Sequence, residues 1–411
     1  MQQEAALGEI SATDMAAPRV AAVVFAYCPA DARVRRESEA MAERGMQVDI
    51  VCLRGPEQNW IEDTGRIRFI RLPIARKRGG KLRYLWEYTA FTFLAMLVMS
   101  YLHMRNWYRI VHVHNMPDVL VFCALVPRLL GAKIILDLHD PVPEVFMTKY
   151  DMTKDHNFIG LLRFLEHISI SFSHAVLTPN VGFKDLFIAR GCPEEKIHVV
   201  MNSPQETVFG EPLPGAPTRL SPPRDDRFKI MFHGTVVERH GLDTALEALS
   251  LLAPTEPGLL FDVYGDGEYV ETFLELVETH GLGDIVTYHG HVPLETIAAA
   301  IDGIDLGLIP NKQSVFTEIN LPTRIFEYLS KNKPVIAPRT RGILDYFEKD
   351  DILFFAAGDA QSLAAAIRRA RSDMELRRRV LSRGIEVYRK HSWSKERVRL
   401  IDIVTGLIGN K

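Results

Sequence analysis

Four cysteines, Cys28, Cys52, Cys123 and Cys192, are all that the 411 residues contain, and no two of them form a Cys-x-x-Cys pair. That scarcity excludes a disulfide framework and a cysteine zinc site, and it fits a reducing cytoplasm. A strong charge imbalance is missing too. The formal net charge is -3, which argues against nucleic acid as the principal partner. The first residues lack a basic region followed by an apolar core, so no secretory signal is read there and 1–18 is expected to be disordered. Nor is there a long apolar run: the uncharged stretch ending at Met104 has 17 residues, short of the roughly 20 a spanning helix needs.

What is present is ordinary in bulk and informative in pattern. A hydrophobic content of 47% and a charged content of 25% describe a globular protein, and the length predicts two domains. Strand-like runs at Arg19–Ala26, Val48–Leu53, Arg66–Leu72, Ile110–His114, Lys133–Leu138, Ala175–Thr178 and Ile197–Met201 alternate with helical stretches. Prolines 204, 212, 214, 217, 222 and 223 then mark a linker. A second series follows at Lys229–His233, Leu259–Tyr264, Ile285–His289, Leu306–Ile309 and Pro334–Ala337, with helices near Asp243–Leu252, Tyr269–His280, Leu294–Ile301 and Pro322–Lys331. The expected fold is α/β: two doubly wound, Rossmann-like domains facing across a cleft, at 19–205 and 228–390. Residues 206–227 link them, and 391–411 form a terminal helix returning to the first domain after a break at His391-Ser-Trp393.

Chemistry-bearing residues collect where strands end. The stretch Glu318-Ile-Asn320-Leu321-Pro322-Thr323-Arg324-Ile-Phe-Glu327 predicts a Pro-started helix whose free N–H groups suit a diphosphate, with Glu327 a turn further in to reach ribose hydroxyls. After the strand ending at His233 come Gly234, Thr235, Arg239 and His240; the glycine permits close backbone approach, and Arg239 or His240 can pair with a phosphate. Gly265 and Gly267 leave room for the nucleotide, and the backbone of His291 and Val292 can read a base edge. Each of these is equally a common βα turn when taken alone. His112 and His114 alternate on one strand, and with no third partner in the sequence they read as packing at a sheet edge, not as a metal site.

Together, His233-Gly-Thr…Glu-Arg-His-Gly-Leu-Asp243, Val263-Tyr-Gly-Asp-Gly267, Tyr288-His-Gly-His-Val-Pro293 and Leu321-Pro-Thr-Arg-Ile-Phe-Glu-Tyr328 resemble the donor domain of the glycosyl transferases group 1, retaining enzymes of the GT-B fold. The resemblance covers nearly the whole chain. It implies a nucleoside diphosphate sugar donor, no metal or other cofactor, and Glu327 on the ribose. The family's earlier glutamate would fall on Ile319, with Glu318 one position out of register, so the chain resembles a variant branch with a Leu-Pro-x-Lys/Arg…Glu-Tyr core in which Arg324 is the basic group. Thr235 stands where the family has an arginine. Asp137-Leu-His139-Asp140-Pro-Val-Pro-Glu144 resembles the acceptor-side segment: His139 to the transferring sugar, Asp140 or Glu144 to an acceptor hydroxyl. Asp31 and Arg33 resemble a further acceptor-side segment, and a solvated helix start explains them almost as well.

Arg71, Arg76, Lys77, Arg78, Lys81 and Arg83 carry six positive charges with no acid among them, just before an aromatic apolar stretch. A helix near 81–105 is therefore expected to lie in the headgroup layer, a peripheral contact with the inner face of the plasma membrane; a buried core helix is the alternative. The expected function is transfer of a sugar to a polyprenyl-diphosphate-linked or other lipid-linked saccharide in surface or exopolysaccharide assembly. His139, Glu318, Arg239 and Arg324 are the expected catalytic groups. Two rival readings stay open: an epimerase or hydrolase on the same scaffold, and a catalytically silent nucleotide-sugar-binding partner.

Overall fold

The computed structural model describes residues 17–75, 81–212, 220 and 227–409. Among the described residues, two mixed α/β layers are built from fourteen strands. The first sheet takes β1 (Arg19–Tyr27), β2 (Gln47–Leu53), β3 (Ile61–Asp63), β4 (Ile67–Leu72), β5 (Ile110–His114), β6 (Lys133–Asp137), β7 (Ala175–Thr178) and β8 (Ile197–Val199), in the order β3-β4-β2-β1-β5-β6-β7-β8. The second takes β9 (Phe228–His233), β10 (Leu259–Tyr264), β11 (Val286–Gly290), β12 (Leu306–Leu308), β13 (Val335–Pro338) and β14 (Leu353–Phe355), in the order β11-β10-β9-β12-β13-β14. β3 pairs antiparallel with β4, while β1 with β2, β2 with β4, β6 with β7, β7 with β8 and all five pairs of the second sheet are parallel. Strands such as Val20–Phe25 and Ile230–Phe232 are apolar throughout and buried, as parallel strands covered on both faces must be.

Two strands escape the sequence pattern. β3 is three fully exposed residues pairing antiparallel at an edge, and β14 is three residues at the opposite kind of edge, both too short to show a period. The histidines of β5 are also placed differently from expectation. β5 lies inside its sheet with every residue buried, so His112 and His114 are core groups and not edge packing.

The chain divides into two compact units, one comprising residues up to His112 with Cys123–Lys133, the other Val113–Phe122 with Ile134–Lys411. In the first unit, the helix Lys81–Asn106 buries Phe91, Ala95 and Met99 and exposes Trp86, Phe93, Leu97, Tyr101 and Met104. Their spacing of seven, four, four and three puts the exposed set on one stripe, so the helix is apolar on opposite faces. No helix of the described residues is long and apolar enough to cross a membrane. The basic run before this helix is not wholly free: Arg71 is buried on β4 with its guanidinium 2.7 Å from Glu62, and Arg83 pairs with Glu87 at 2.8 Å. Arg76, Lys77 and Arg78 lie outside the described residues.

In the second unit, helices Ala360–Ser372 and Met374–Lys390 precede the terminal helix Trp393–Gly409, and Glu396 at its start accepts the Met201 N–H at 3.0 Å. The segment after β12 packs on earlier elements of the same unit: Thr148 Oγ1 accepts from Phe316 N, and the carbonyl of Ile319 sits against Gly182.

The turns that follow β9 and β10 are locked together by glycine. Gly265 has φ +137° and a Cβ there would stand 1.9 Å from the Gly234 carbonyl oxygen; a Cβ at Gly267 would stand 2.1 Å from that of Val236. On the side where a Cβ would stand, each of these glycines is thus met by neighbouring backbone. Gly265→Ala is expected to lower unfolding free energy by roughly 2–4 kcal/mol through strain and displaced backbone, read by urea denaturation; an unchanged midpoint would show that the two turns are not tightly apposed.

Candidate active site

In a doubly wound sheet the ligand crevice opens beyond the strand carboxyl ends where the order reverses. For the second sheet that point lies between β9 and β12, because the chain runs outward from β9 to β11 and returns to β12 at its other side. His233 and Gly234 leave β9 here, and Pro310-Asn311-Lys312 follows β12.

The helix Arg324–Ser330 stands at this point. It begins two residues later than the expected Pro322 start. Ile325 N and Phe326 N bond back to the carbonyls of Pro322 and Thr323 at 3.1 and 2.9 Å, so Pro322 and Thr323 form a tight entry turn, not a regular helical one. Arg324 does not reach outward. Its Nη1 donates to the His233 carbonyl at 2.8 Å, its Nη2 lies 3.4 Å from Asn311 Oδ1, and its guanidinium carbon sits 4.4 Å above the Phe232 ring. Gly234 lies directly over it, since a Cβ there would touch Nη1 at 3.4 Å. Glu327 Oε2 lies 3.2 Å from His233 Nε2.

Burial governs the electrostatics. It pushes the Arg324 guanidinium down to about 10, and it holds His233 at about 3, helped by Arg324, so that imidazole is neutral. His240 is held well below its usual range by burial and by Arg324, and its Nδ1 lies 2.6 Å from the Thr235 carbonyl. Arg239 is lowered by burial, against the opposing pull of Asp140 and Glu268. Two guanidinium groups therefore stand close to one another in poor solvation, a setting that favours an anion. Lys312, which sequence reasoning missed, pairs with Asp243 at 2.5 Å and with Glu238 at 3.6 Å. The signal for it, and for Asn311 and His233, was position at the ends of β12 and β9.

The other donor-side expectations separate. Thr235 and His291 are exposed, Val292 is half-buried, and Leu321 and Pro322 are buried. Asn320 adjoins Ile319, whose carbonyl packs on Gly182. Thr323 Oγ1 is 3.5 Å from Asn202 Nδ2. Glu318 is engaged by the protein itself: one oxygen accepts from Gln313 Nε2 at 3.0 Å and the other from N of Arg341, the first residue of the short helix Arg341–Leu344, at 3.2 Å.

In the same unit, β6 ends at Asp137 and delivers His139 and Asp140. Asp137 Oδ2 lies 3.2 Å from both His114 Nδ1 and His139 Nε2. Asn115, also missed, clamps this bend: its Oδ1 accepts from His139 N at 2.8 Å while its Nδ2 donates to the Asp140 carbonyl at 2.9 Å. The next helix, Val142–Tyr150, has Pro141 at its N-cap. Glu144 departs from expectation. It is buried and paired with both Arg190 Nη atoms, out of reach of an acceptor hydroxyl.

In the first unit, Asp31 accepts from Arg33 N and Val34 N, each at 3.1 Å, and so caps the helix Ala32–Glu43. Arg33 is buried with its Nε 3.2 Å from Glu37, a core ion pair and not a solvated contact.

Two parallel Rossmann-like sheets with basic and acidic groups gathered at strand carboxyl ends define a GT-B protein. The model of the glycosyl transferase 4-like domain matches residues 30–203, and that of the glycosyl transferases group 1 matches 219–387. The chain belongs to this GT-B glycosyltransferase family. WcaL of Escherichia coli K12, named for colanic acid biosynthesis, is 25% identical over 203 residues, 45% of this chain and 48% of WcaL. The match thus spans about half the length of that curated relative. Among solved structures, sucrose-phosphate synthase of Thermosynechococcus elongatus superposes with a TM-score of 0.76 at 17% identity over 96% of this chain and 100% of that one. Anabaena HepE in complex with UDP-glucose gives 0.69 at 13% over 94% and 99%, and WaaG, an enzyme of lipopolysaccharide biosynthesis, 0.68 at 16% over 94% and 100%. These likenesses concern the fold.

Arg190, which holds Glu144, also meets Glu166 at 3.1 Å, and Asp118 lies in the same buried group. One cation serves three carboxyls, so burial pushes Glu166 up to about 8 and Asp118 up to about 6. The folded chain therefore holds protons that the unfolded chain releases above the ordinary carboxyl range. Stability from this cluster is present at low pH and falls as pH rises toward 8, by at most about 1.4 kcal/mol per pH unit for each proton. Glu166→Gln is expected to flatten the fall in melting temperature between pH 6 and 9; a variant that tracks the native protein across that range would show that Glu166 is ionised throughout.

Proposed function

We propose that this glycosyltransferase takes a nucleoside diphosphate sugar and transfers the sugar, with retention, to a lipid-linked saccharide in surface polysaccharide assembly. The observation that carries the reading is the pair of poorly solvated guanidinium groups, Arg239 and Arg324, at the β9/β12 crevice with Glu327 beside them. A diphosphate supplies the charge these cations lack, and the same groups stabilise the negative charge that grows on it as the sugar departs. Electrostatic help of this kind is commonly worth several kcal/mol. Glu327 is the ribose ligand on this reading. Thr235 and the loop Asn320–Thr323 border the diphosphate, while His139 and Asp140 face the sugar and the acceptor. The binding of UDP-glucose by HepE supports this class of donor.

For the acceptor, support comes from the apolar stripe Trp86, Phe93, Leu97, Tyr101 and Met104, which a solvated surface does not call for. An aromatic stripe of this length suits the acyl and headgroup boundary of a bilayer, where a polyprenyl-linked saccharide is presented. The placement on the inner leaflet is part of the same proposal.

Three outcomes follow from it. Incubated with membranes and a panel of labelled nucleotide sugars, the native protein should move label into extracted lipid, and Glu327→Ala should lose most of that transfer while melting normally; full transfer by Glu327→Ala would remove its assigned role. Arg324→Ala should lower turnover by on the order of 100-fold, with Arg324→Lys recovering part of it; equal rates for the two would mean that charge is not what Arg324 supplies. Vesicles of anionic phospholipid should float with the native protein and release a Trp86→Ser, Phe93→Ser, Tyr101→Ser variant; no flotation of the native protein would sink the membrane contact.

A further inference from the structure

Three side-chain atoms meet at the end of β6 in a nearly equilateral triangle. His114 Nδ1 and His139 Nε2 are 3.1 Å apart, and each is 3.2 Å from Asp137 Oδ2. Asp137 and His114 are buried, whereas the His139 side chain is 22% exposed. Each ring nitrogen carries either one proton or one lone pair, so only a few proton arrangements fit.

Suppose His114 Nδ1–H donated to His139 Nε2. Asp137 Oδ2 would then face a nitrogen lone pair at 3.2 Å with no hydrogen between them, and the buried carboxylate would lose a donor. If instead both imidazoles direct their protons at Oδ2, the carboxylate receives two N–H groups. A third arrangement, His139 Nε2–H donating to His114 Nδ1, leaves the repulsion between Asp137 and His114 but still protonates His139 at Nε2. Only the arrangement with both N–H groups aimed at Oδ2 sets the carboxylate against no lone pair, and it protonates His139 at Nε2.

We infer that Asp137 and His114 are positioning residues that hold His139 in its Nε2–H form, so that His139 presents Nδ1 outward as a hydrogen-bond acceptor and selects a ligand hydroxyl. This reverses the expected direction of that contact, in which His139 donates to the sugar. In that form His139 Nδ1 accepts a hydrogen bond from an O–H group and offers nothing to a phosphate oxygen, which keeps the diphosphate on the arginine side. Asn115 adds to the fixation by binding the main chain on both sides of the ring, at His139 N and at the Asp140 carbonyl. The inference about which hydroxyl is met rests on the proposed glycosyl transfer; the tautomer does not.

The test is long-range proton–nitrogen NMR on deuterated, 15N-histidine-labelled full-length protein at pH 7.5 (~7.5, above the ordinary histidine range), with His139→Gln and His114→Gln used to assign the two rings. The expected spectrum has His139 protonated at Nε2 and His114 at Nδ1, and Asp137→Asn, an isosteric change, releases His139 to a mixture of tautomers while cooperative melting persists. A His139 found as the Nδ1–H form overturns the inference, as does an unchanged His139 tautomer in Asp137→Asn. Signals of this trio that change on adding EDTA also overturn it, since a bound cation would then occupy the triangle. Adding UDP-glucose as the probe separates the two levels: a shift of His139 Nδ1 supports the hydroxyl contact, whereas the expected tautomer with no shift leaves the positioning in place and counts against the glycosyl-donor reading.

Discussion

The helix Arg324–Ser330 is tied to the end of β9 by two side chains that reach two carbonyls of that strand, and the donor-side crevice depends on this tie. Arg324 donates to the His233 carbonyl at 2.8 Å and Tyr328 Oη to that of Met231 at 2.8 Å. A seven-residue helix has little stability of its own, since nucleation is unfavourable and few bonds repay it. Packing and these two bonds fix its place instead. The consequence is that Glu327, lying between Arg324 and Tyr328 in sequence, is held beside His233, and that the Arg324 charge is carried into a region where water solvates it poorly.

Several charges of the fold are compensated at close range: Arg33 by Glu37, Arg190 by Glu144 and Glu166, Lys312 by Asp243. Arg324 has carbonyl and amide oxygens instead, with Glu327 acting only at a distance. Dipoles satisfy its hydrogen-bonding geometry without cancelling its charge, and its depressed proton affinity is the sign of that deficit. A structural arginine is normally paired because the desolvation of a lone guanidinium is expensive. On the proposed reading, the diphosphate brings the charge that the neutral partners of Arg324 do not supply.

The sequence was most informative where the local pattern and the topology say the same thing. Alternating strands and helices, with apolar strands and glycines at their carboxyl ends, are local properties, and the two parallel sheets and the crevice position follow from them. Side-chain direction does not follow. Glu144 looks like a solvent-facing polar group by position, yet it turns into the core because its counter-ion is a residue whose contact no periodicity announces: Arg190 lies 46 positions after it. Glu318 is similar, since the Arg341 backbone that occupies it comes from 23 residues further on. Gly265 and Gly267 were legible as glycines that something must approach, but whether the visitor is ligand or neighbouring backbone is decided only in three dimensions. His114 was read as edge packing because strand order cannot be counted from a single strand.

The two polar centres of the second unit differ in a way that gives the crevice a direction. Around Arg324 and Arg239 the protein offers donors and positive charge; around His139 it offers an acceptor nitrogen, if the tautomer is as inferred, with the Asp137 carboxylate behind it. Asp140 couples them, since its charge acts on Arg239 and opposes the loss of that proton. A ligand with an anion at one end and hydroxyls at the other is matched by this order, and the reversed orientation sets phosphate oxygens against an imidazole lone pair and a carboxylate. Like charges brought together in poor solvent repel strongly, so orientation is enforced by exclusion as well as by attraction. On the proposed reading, the bond that breaks is the one between those two ends, and the fold need only hold each end in its own electrostatic environment for the break to occur where charge can be absorbed.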